Sequence, residues 1–398
     1  MLNTNLSPWP NFTKEEAAKV SSVLLSNKVN YWTGEEGRKF ENEFALFSDC
    51  KYAVAVANGT LALDLALKSL DIGFGDEVIV TSRTFIASVS SIINCGATPI
   101  FADVNLESQN ICTESISEVL TKNTKAIICV HLAGWPCEMD EIMELANQKN
   151  IFVIEDCAQA HGAKFKGKSV GSFGHIGAWS FCQDKIMSTG GEGGMLTTNS
   201  EELWRKSWAF KDHGKSYKAV YETEHPPGYR WLHDSFGTNW RLTEMQSAIG
   251  RIQLNRMKDW NINRTENSNK IFEICRKYSF LRVPAQPKYI QHAFYKCYVF
   301  IENKNPESQL TRDYILKKLN SVGVPCFSGS CSEVYKEKAF ENTGFAPKFP
   351  LPNAHLLGNT SLMFLVHPNI TNHQMLHVCQ KLTETFNEIQ SNVNKIAT

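Results

Sequence analysis

Residues 51–103 read KYAVAVANGTLALDLALKSLDIGFGDEVIVTSRTFIASVSSIINCGATPIFAD. AVAVA (53–57) is a short apolar run, and TLALDLALKSL (60–70) repeats its apolar residues at helical spacing. EVIVT (77–81) is followed in the same way by IASVSSIINCG (86–96), and TPIFAD (98–103) opens a third round. Compact apolar runs separated by helical segments are the pattern of parallel strands covered on both faces.

The pattern continues through KAIICVHL (125–132), IFVIED (151–156), AWSFC (178–182) and GMLTT (194–198). It predicts an α/β domain with a mostly parallel central sheet flanked by helices. Residues 211–240 show no convincing period, and a loop of that length inside a compact domain is often functional. TEMQSAIGRIQLNRMKDW (243–260) returns to helical spacing, in a stretch running to about 278. From Pro284 onward YKCYVFI reads as a strand, LTRDYILKKLNSVG as a helix, VPCF and SLMFLV as strands, and 371–392 as a last helix. The expected division is a large α/β domain over 1–255 and a smaller α+β domain over 256–398, with residues 1–30 packing on the small one. No internal repeat or low-complexity segment interrupts it.

The chain has 398 residues, and its 41 Lys and Arg balance 41 Asp and Glu. Zero net charge argues against a nucleic-acid or anionic-membrane protein, because both partners demand a cationic surface. No run approaches the roughly 18 apolar residues of a membrane span, and MLNTNLSPWP lacks the basic and apolar regions of a signal peptide. Twelve scattered cysteines, without a CxxC and often inside apolar runs, read as reduced core thiols of a cytoplasmic protein.

Lys185 stands out chemically. The AWSFC run delivers the chain to a sheet edge, and Gly190, Gly191, Gly193 and Gly194 make the next turn compact. Taken alone, a lysine in a loop is a solvated surface group. EDCAQAHG (155–162) places Asp156 and Gln159 just past a strand, where open α/β sheets bind ligands, although Asp156 taken alone reads more readily as a cap of the following turn or helix. NGT (58–60) ends a strand and opens a helix, offering N–H groups and a hydroxyl to an anion, or simply a turn. GxGxxG and Walker patterns are absent. Together, a strand-end carboxylate, a lysine and a helix N-terminus meet the needs of pyridoxal 5′-phosphate (PLP): a partner for the pyridine nitrogen, a Schiff-base amine and a phosphate site.

With these motifs, and with KFENEFA (39–45), VHLAG, GEGGM and GTNWRLTEMQSA (237–248), the chain resembles the DegT/DnrJ/EryC1/StrS sugar aminotransferases. These have the fold-type I architecture of aspartate aminotransferase. The resemblance implies Lys185 as the Schiff-base lysine and proton shuttle, Asp156 as partner of the pyridine nitrogen, and Gln159 at the phenolic oxygen or ring face. It implies Phe85 stacking on the ring, Gly59 and Thr60 binding phosphate through N–H groups, Ser180 through its hydroxyl, and Asn239 reaching the phosphate of a neighbouring subunit. Each site of a homodimer is then shared, with the 211–240 loop over the partner's.

The implied reaction moves an amine from L-glutamate, leaving pyridoxamine 5′-phosphate and 2-oxoglutarate, and then onto a nucleotide-linked keto sugar. Lipopolysaccharide or another surface glycan is the implied destination. Relatives with His in place of the lysine dehydrate keto sugars instead; here the residue is Lys185, which favours amino transfer. A non-catalytic PLP or nucleotide-sugar binder would not need Lys185 and Asp156 together. Arg83, His161, Tyr229 and Arg230 are the candidate substrate contacts, with Lys215 a further source of positive charge. His131 reads either as a site residue or as a core histidine. No metal is expected: His373 and His377, near Cys379, sit four apart on what reads as the polar face of an amphipathic helix. Tyr229, Trp231 and Phe236 suit subunit packing.

Overall fold

The computed structural model describes residues 5–302 and 310–396. Seven strands form the central sheet: β1 (Tyr52–Val56), β2 (Glu77–Thr81), β3 (Thr98–Ala102), β4 (Thr124–Val130), β5 (Phe152–Asp156), β6 (Ile176–Ser180) and β7 (Gly194–Thr198). Their order is β1-β7-β6-β5-β4-β2-β3. All run parallel except β7, which pairs antiparallel with both neighbours. This is the mostly parallel central sheet flanked by helices that the sequence pattern predicts.

Two-faced burial explains the unbroken apolar runs. In β1, Val54 and Val56 join one core while Ala53 and Ala55 join the other. In β4, Ala126, Ile128 and Val130 face the first side, and Ile127 and Cys129 a cluster on the opposite side. The helix Gly59–Ser69 covers the first face with Ala62, Leu63, Leu65, Ala66 and Leu67. Asn58 caps it, its side chain accepting from the Leu61 N–H at 2.9 Å. All twelve cysteines are free.

The long helix Glu244–Cys275 starts in a Thr243–Gln246 capping box. Its Met257 packs in a large-domain cluster, whereas Ile271, Phe272, Ile274 and Cys275 belong to the small-domain core. The expected boundary at 255/256 therefore lies inside a continuous helix serving both parts. Beyond it, strands Leu281–Arg282, Cys297–Ile301, Ser361–Phe364 and Cys326–Phe327 form a four-stranded antiparallel sheet. At the other end of the chain, Leu6 packs on the small-domain core. Trp9 lies edge-on to Trp260 and stacks on His367, while the helix Lys14–Leu25 lies against the long helix.

Residues 211–240 are more ordered than their missing period suggests. A helix at Tyr217–Tyr221 is capped by Ser216, and bridges join Asp212 to Asn239 and Lys215 to His233. Aromatic contacts stand in for an amphipathic repeat: Tyr217 packs on Trp204 and Trp208, and Tyr221 on Trp32.

Candidate active site

Strands β1, β2, β5 and β6 end on one edge of the sheet, the edge where open α/β sheets hold ligands. A cavity of about 830 Å³ opens there, lined by Gly59, Thr60, Phe85, Asp156, Gln159, Ser180 and Lys185. The small domain closes its far side with Tyr295, Lys296, Tyr298 and Ser330.

At the first turn of the helix Gly59–Ser69, Asn58 occupies the Leu61 N–H with its side chain and the Ala62 N–H with its carbonyl. The Gly59 and Thr60 N–H groups are left without helix partners, as first-turn donors always are. Ser180 ends β6 directly against them: a Cβ on Gly59 would lie 2.5 Å from the Ser180 Cβ. Glycine permits that approach, and it gathers two N–H groups and a hydroxyl into a cradle that fits a phosphate.

Asp156 is buried at the end of β5. Its Oδ2 accepts from Ser88 at 2.7 Å and its Oδ1 from the Ala158 N–H at 3.1 Å. Gln159 Oε1 accepts from the Ala133 N–H at 2.8 Å, which leaves its amide nitrogen as a donor. Phe85 stands 66% exposed on the cavity wall, an aromatic face without a covering partner.

Lys185 lies in the turn between β6 and β7. Its N–H donates to the Cys182 carbonyl at 3.1 Å, and its own carbonyl accepts from the Trp9 indole at 2.8 Å. The Nζ sits 3.9 Å from Asp184 Oδ1 and over the Tyr295 ring. Burial alone would raise the Asp184 carboxyl, but the Lys185 charge and the Tyr295 hydroxyl that donates to it outweigh this and hold it below the ordinary carboxylate value. A carboxylate, a lysine, an aromatic face and a phosphate cradle thus share one cavity, and this donor set fits PLP.

The whole-chain comparisons agree with that fit. Residues 10–383 match the model of the DegT/DnrJ/EryC1/StrS aminotransferase family. The chain belongs to this family. It is a PLP-dependent aminotransferase. The GDP-perosamine synthase of Escherichia coli O157:H7 is 36% identical, over 95% of this chain and 98% of that one. An aminotransferase from Psychrobacter cryohalolentis, solved by X-ray methods, is 62% identical with a TM-score of 0.95, covering 96% of this chain and 99% of its own. A Streptococcus pneumoniae protein solved in its PLP form shares the fold, at 22% identity and a TM-score of 0.84 over 97% of this chain and 99% of its own.

The aminotransferase cavity does not gather every residue anticipated from its sequence. Arg83 is fully buried and off the lining: its Nε donates to Gln109 at 3.1 Å and its Nη2 to Ser361 at 2.8 Å. A guanidinium in that position ties β2 to the small-domain sheet rather than meeting substrate. His161 is also fully buried, among Phe44, Trp179 and Phe181, and desolvation, with the Lys185 and Arg264 charges, pushes its imidazole down to about 3. That pocket holds a neutral packing ring behind Ser180. Tyr229, Arg230 and Asn239 are exposed and lie off this chain's cavity lining. His131 is a core residue: Nε2 meets Glu155 at 2.9 Å and Nδ1 accepts the Cys137 N–H at 3.0 Å. His131, Glu155 and Cys157 lie close enough to share an ion, but Glu155 is already taken up by His131 and the N–H groups of Gly171, Phe173 and Gly174.

Sequence reasoning missed Ser88, Asp184, Tyr295 and Lys296. Asp184 adjoins Lys185 in the same motif. Lys296 interrupts an otherwise apolar and aromatic strand entry, which is itself a signal.

Proposed function

We propose that this enzyme transfers an amino group from L-glutamate to a nucleotide-linked keto-deoxysugar, for lipopolysaccharide or another surface glycan. It would act in the cytoplasm as a homodimer with shared sites. One observation carries the reading: Lys185, Asp156 and the Gly59 helix N-terminus face a single cavity large enough for a second, sugar-sized occupant. The name of the E. coli relative, a GDP-perosamine synthase, supports the nucleotide-sugar class. Twelve free cysteines suit a reducing compartment, and among the described residues no helix is long and apolar enough to cross a membrane.

PLP, when bound, supplies an electron sink for charge developing on the carbon next to the amine. Lys185 would anchor the cofactor at rest, and its freed Nζ would take the α-proton of the donor. In the second half-reaction the same Nζ returns a proton to the sugar carbon that receives the amine. Asp156, fixed by Ser88 and the Ala158 N–H, would keep the pyridine nitrogen protonated. With its amide nitrogen free, Gln159 would meet the phenolic oxygen, Phe85 would cover the ring, and Gly59, Thr60 and Ser180 would hold the phosphate. Asn239 and the exposed Tyr229, Arg230, Trp231 and Phe236 belong to the partner-facing loop. Dehydration of the same sugars is the second reading, and Lys185 disfavours it.

The test is glutamate-dependent release of 2-oxoglutarate in the presence of nucleotide-linked keto-deoxysugars, with amino sugar formed in equal amount. Sugar consumption without amination would transfer the assignment to dehydration. Lys185→Ala should lose both turnover and the visible absorbance of lysine-linked cofactor, and an active variant would overturn the role given to Lys185.

A further inference from the structure

Lys296 is a second lysine in the cavity, immediately before the small-domain strand Cys297–Ile301. Among the described residues no carboxylate lies within ion-pair distance of it. Its ammonium lies over the Tyr295 ring, 4.6 Å from the centroid, and the Lys185 ammonium is 5.3 Å from the same centroid. Arg264, 1% exposed, adds to their charge; its guanidinium lies over Trp9 and, among the described residues, hydrogen-bonds only the Phe294 and Tyr295 carbonyl oxygens, at 3.4 and 3.5 Å. Among the described residues the acid that offsets the charge on Lys296 is Asp184, already engaged by the Tyr295 hydroxyl and Lys185.

A cavity-lining lysine that is only partly exposed and has no ion-paired carboxylate of its own carries a desolvation cost, and such groups gather at functional sites. Burial depresses Lys296 to about 8, with Asp184 opposing the shift and Arg264 and Lys185 reinforcing it. An incoming anion would relieve that cost. The position of the charge restricts which anion. A donor amine must arrive at Lys185, and the α-carboxylate of an amino acid is two bonds from that amine. A sugar diphosphate is several bonds from the carbon that reacts, so it would lie well outside the Tyr295 ring.

We propose that Lys296 binds the α-carboxylate of the amino donor. The assignment rests on the amino-acid donor proposed above, and it makes Lys296 a specificity residue for the first half-reaction.

The experiment mixes cofactor-loaded enzyme with L-glutamate, or with 4-aminobutyrate, which is glutamate without its α-carboxylate. Loss of lysine-linked cofactor absorbance gives the half-reaction rate against concentration. Lys296→Met should weaken the apparent glutamate affinity about tenfold or more, and Lys296→Arg should stay near wild type. The 4-aminobutyrate response should be the same in all three. Equal glutamate affinity in Lys296→Met and wild type overturns the proposal. So does a parallel loss of both amines, which marks a structural role. Calorimetric titration of the loaded enzymes with glutarate gives a second readout independent of turnover. If glutamate fails to convert even the wild type, the donor assignment falls. The glutarate arm then still decides Lys296: weaker binding in Lys296→Met alone supports it, and equal binding overturns it.

Discussion

Gly59 and Ser180 are held so close that a single methyl group on Gly59 would sit 2.5 Å from the Ser180 Cβ and 3.0 Å from its Cα. One residue opens a helix and the other ends β6, so neither can retreat without moving an element of the sheet domain. Gly59→Ala should therefore push the helix N-terminus away from Ser180 and open the phosphate cradle. Overpacking of this kind costs about 1–3 kcal/mol. The expected result is a PLP dissociation constant raised about tenfold or more, with a smaller effect on the melting temperature of the cofactor-free protein. Fluorescence titration with PLP checks it, and unchanged affinity would show that the cradle does not bind the phosphate.

Arg83 offers the opposite case, a charged residue whose work is structural. Its Nε and Nη2 bridge Gln109 and Ser361, and Ser361 belongs to the small-domain sheet. Replacing it with Met leaves a buried Gln109 carbonyl without its donor. Losing both hydrogen bonds outweighs relief of the guanidinium's desolvation only modestly, so a loss of about 1 kcal/mol in unfolding free energy is expected. The apparent KM for the sugar nucleotide should stay within about threefold, measured below the melting transition. A large KM change with unchanged stability would return Arg83 to the substrate.

Arg83 also marks where local sequence stops being informative. The strands and helices of 51–103 were readable because a two-sided sheet imposes unbroken apolar runs, and Asp156, Gln159 and Lys185 because each sits in a local motif beside a strand end. Arg83 follows β2 in TSRTF and looks the same in sequence whether it faces a ligand or a core. Its partners lie 26 and 278 residues away, beyond any local pattern. His161 shares a motif with Asp156, yet aromatic residues from Phe44 to Phe181 enclose it. Lys296 was legible in principle: Cys297, Val299 and Ile301 face the small-domain core, so period-two alternation places Lys296 beside Tyr298 on the cavity side.

The charge on Lys296 also has a thermodynamic signature. Desolvation, opposed by Asp184 and reinforced by Arg264 and Lys185, lowers it from 10.5 to about 8 in the folded protein. Below that value the group is protonated in both states, and burying the ammonium costs on the order of 3 kcal/mol of stability. As pH rises from about 8 to 10.5 the folded protein releases the proton first, so the penalty fades. Lys296→Met removes the penalty altogether. The cofactor-free variant should therefore be more stable than wild type at neutral pH by an amount that shrinks steadily above pH 8. Urea denaturation of both proteins between about pH 7 and 10 measures the difference; groups remote from Lys296 cancel, and Asp184, whose carboxyl is held low, stays ionised throughout. A difference independent of pH would mean that packing, not charge, separates them.

Asn239 tests whether the site is shared. It is exposed, its backbone bridges Asp212, and it lies off the cavity lining of its own chain, where a phosphate ligand for the partner's site belongs. Suppose Asn239→Asp, which sets a carboxylate against the phosphate, and Lys185→Ala each abolish activity as homodimers. Unfolded and refolded together in equal amounts, half of the dimers are hybrids. In a hybrid, one site combines the intact Lys185 of one subunit with the intact Asn239 of the other, while its second site carries both defects. Mixing two dead enzymes should then restore about a quarter of wild-type activity. If each site were built from one chain alone, every site in the mixture would keep one defect and nothing would return. The assay reads the shared site without needing the identity of the sugar, because the amplitude of the first half-reaction, one glutamate converted per intact site of the loaded enzyme, is signal enough.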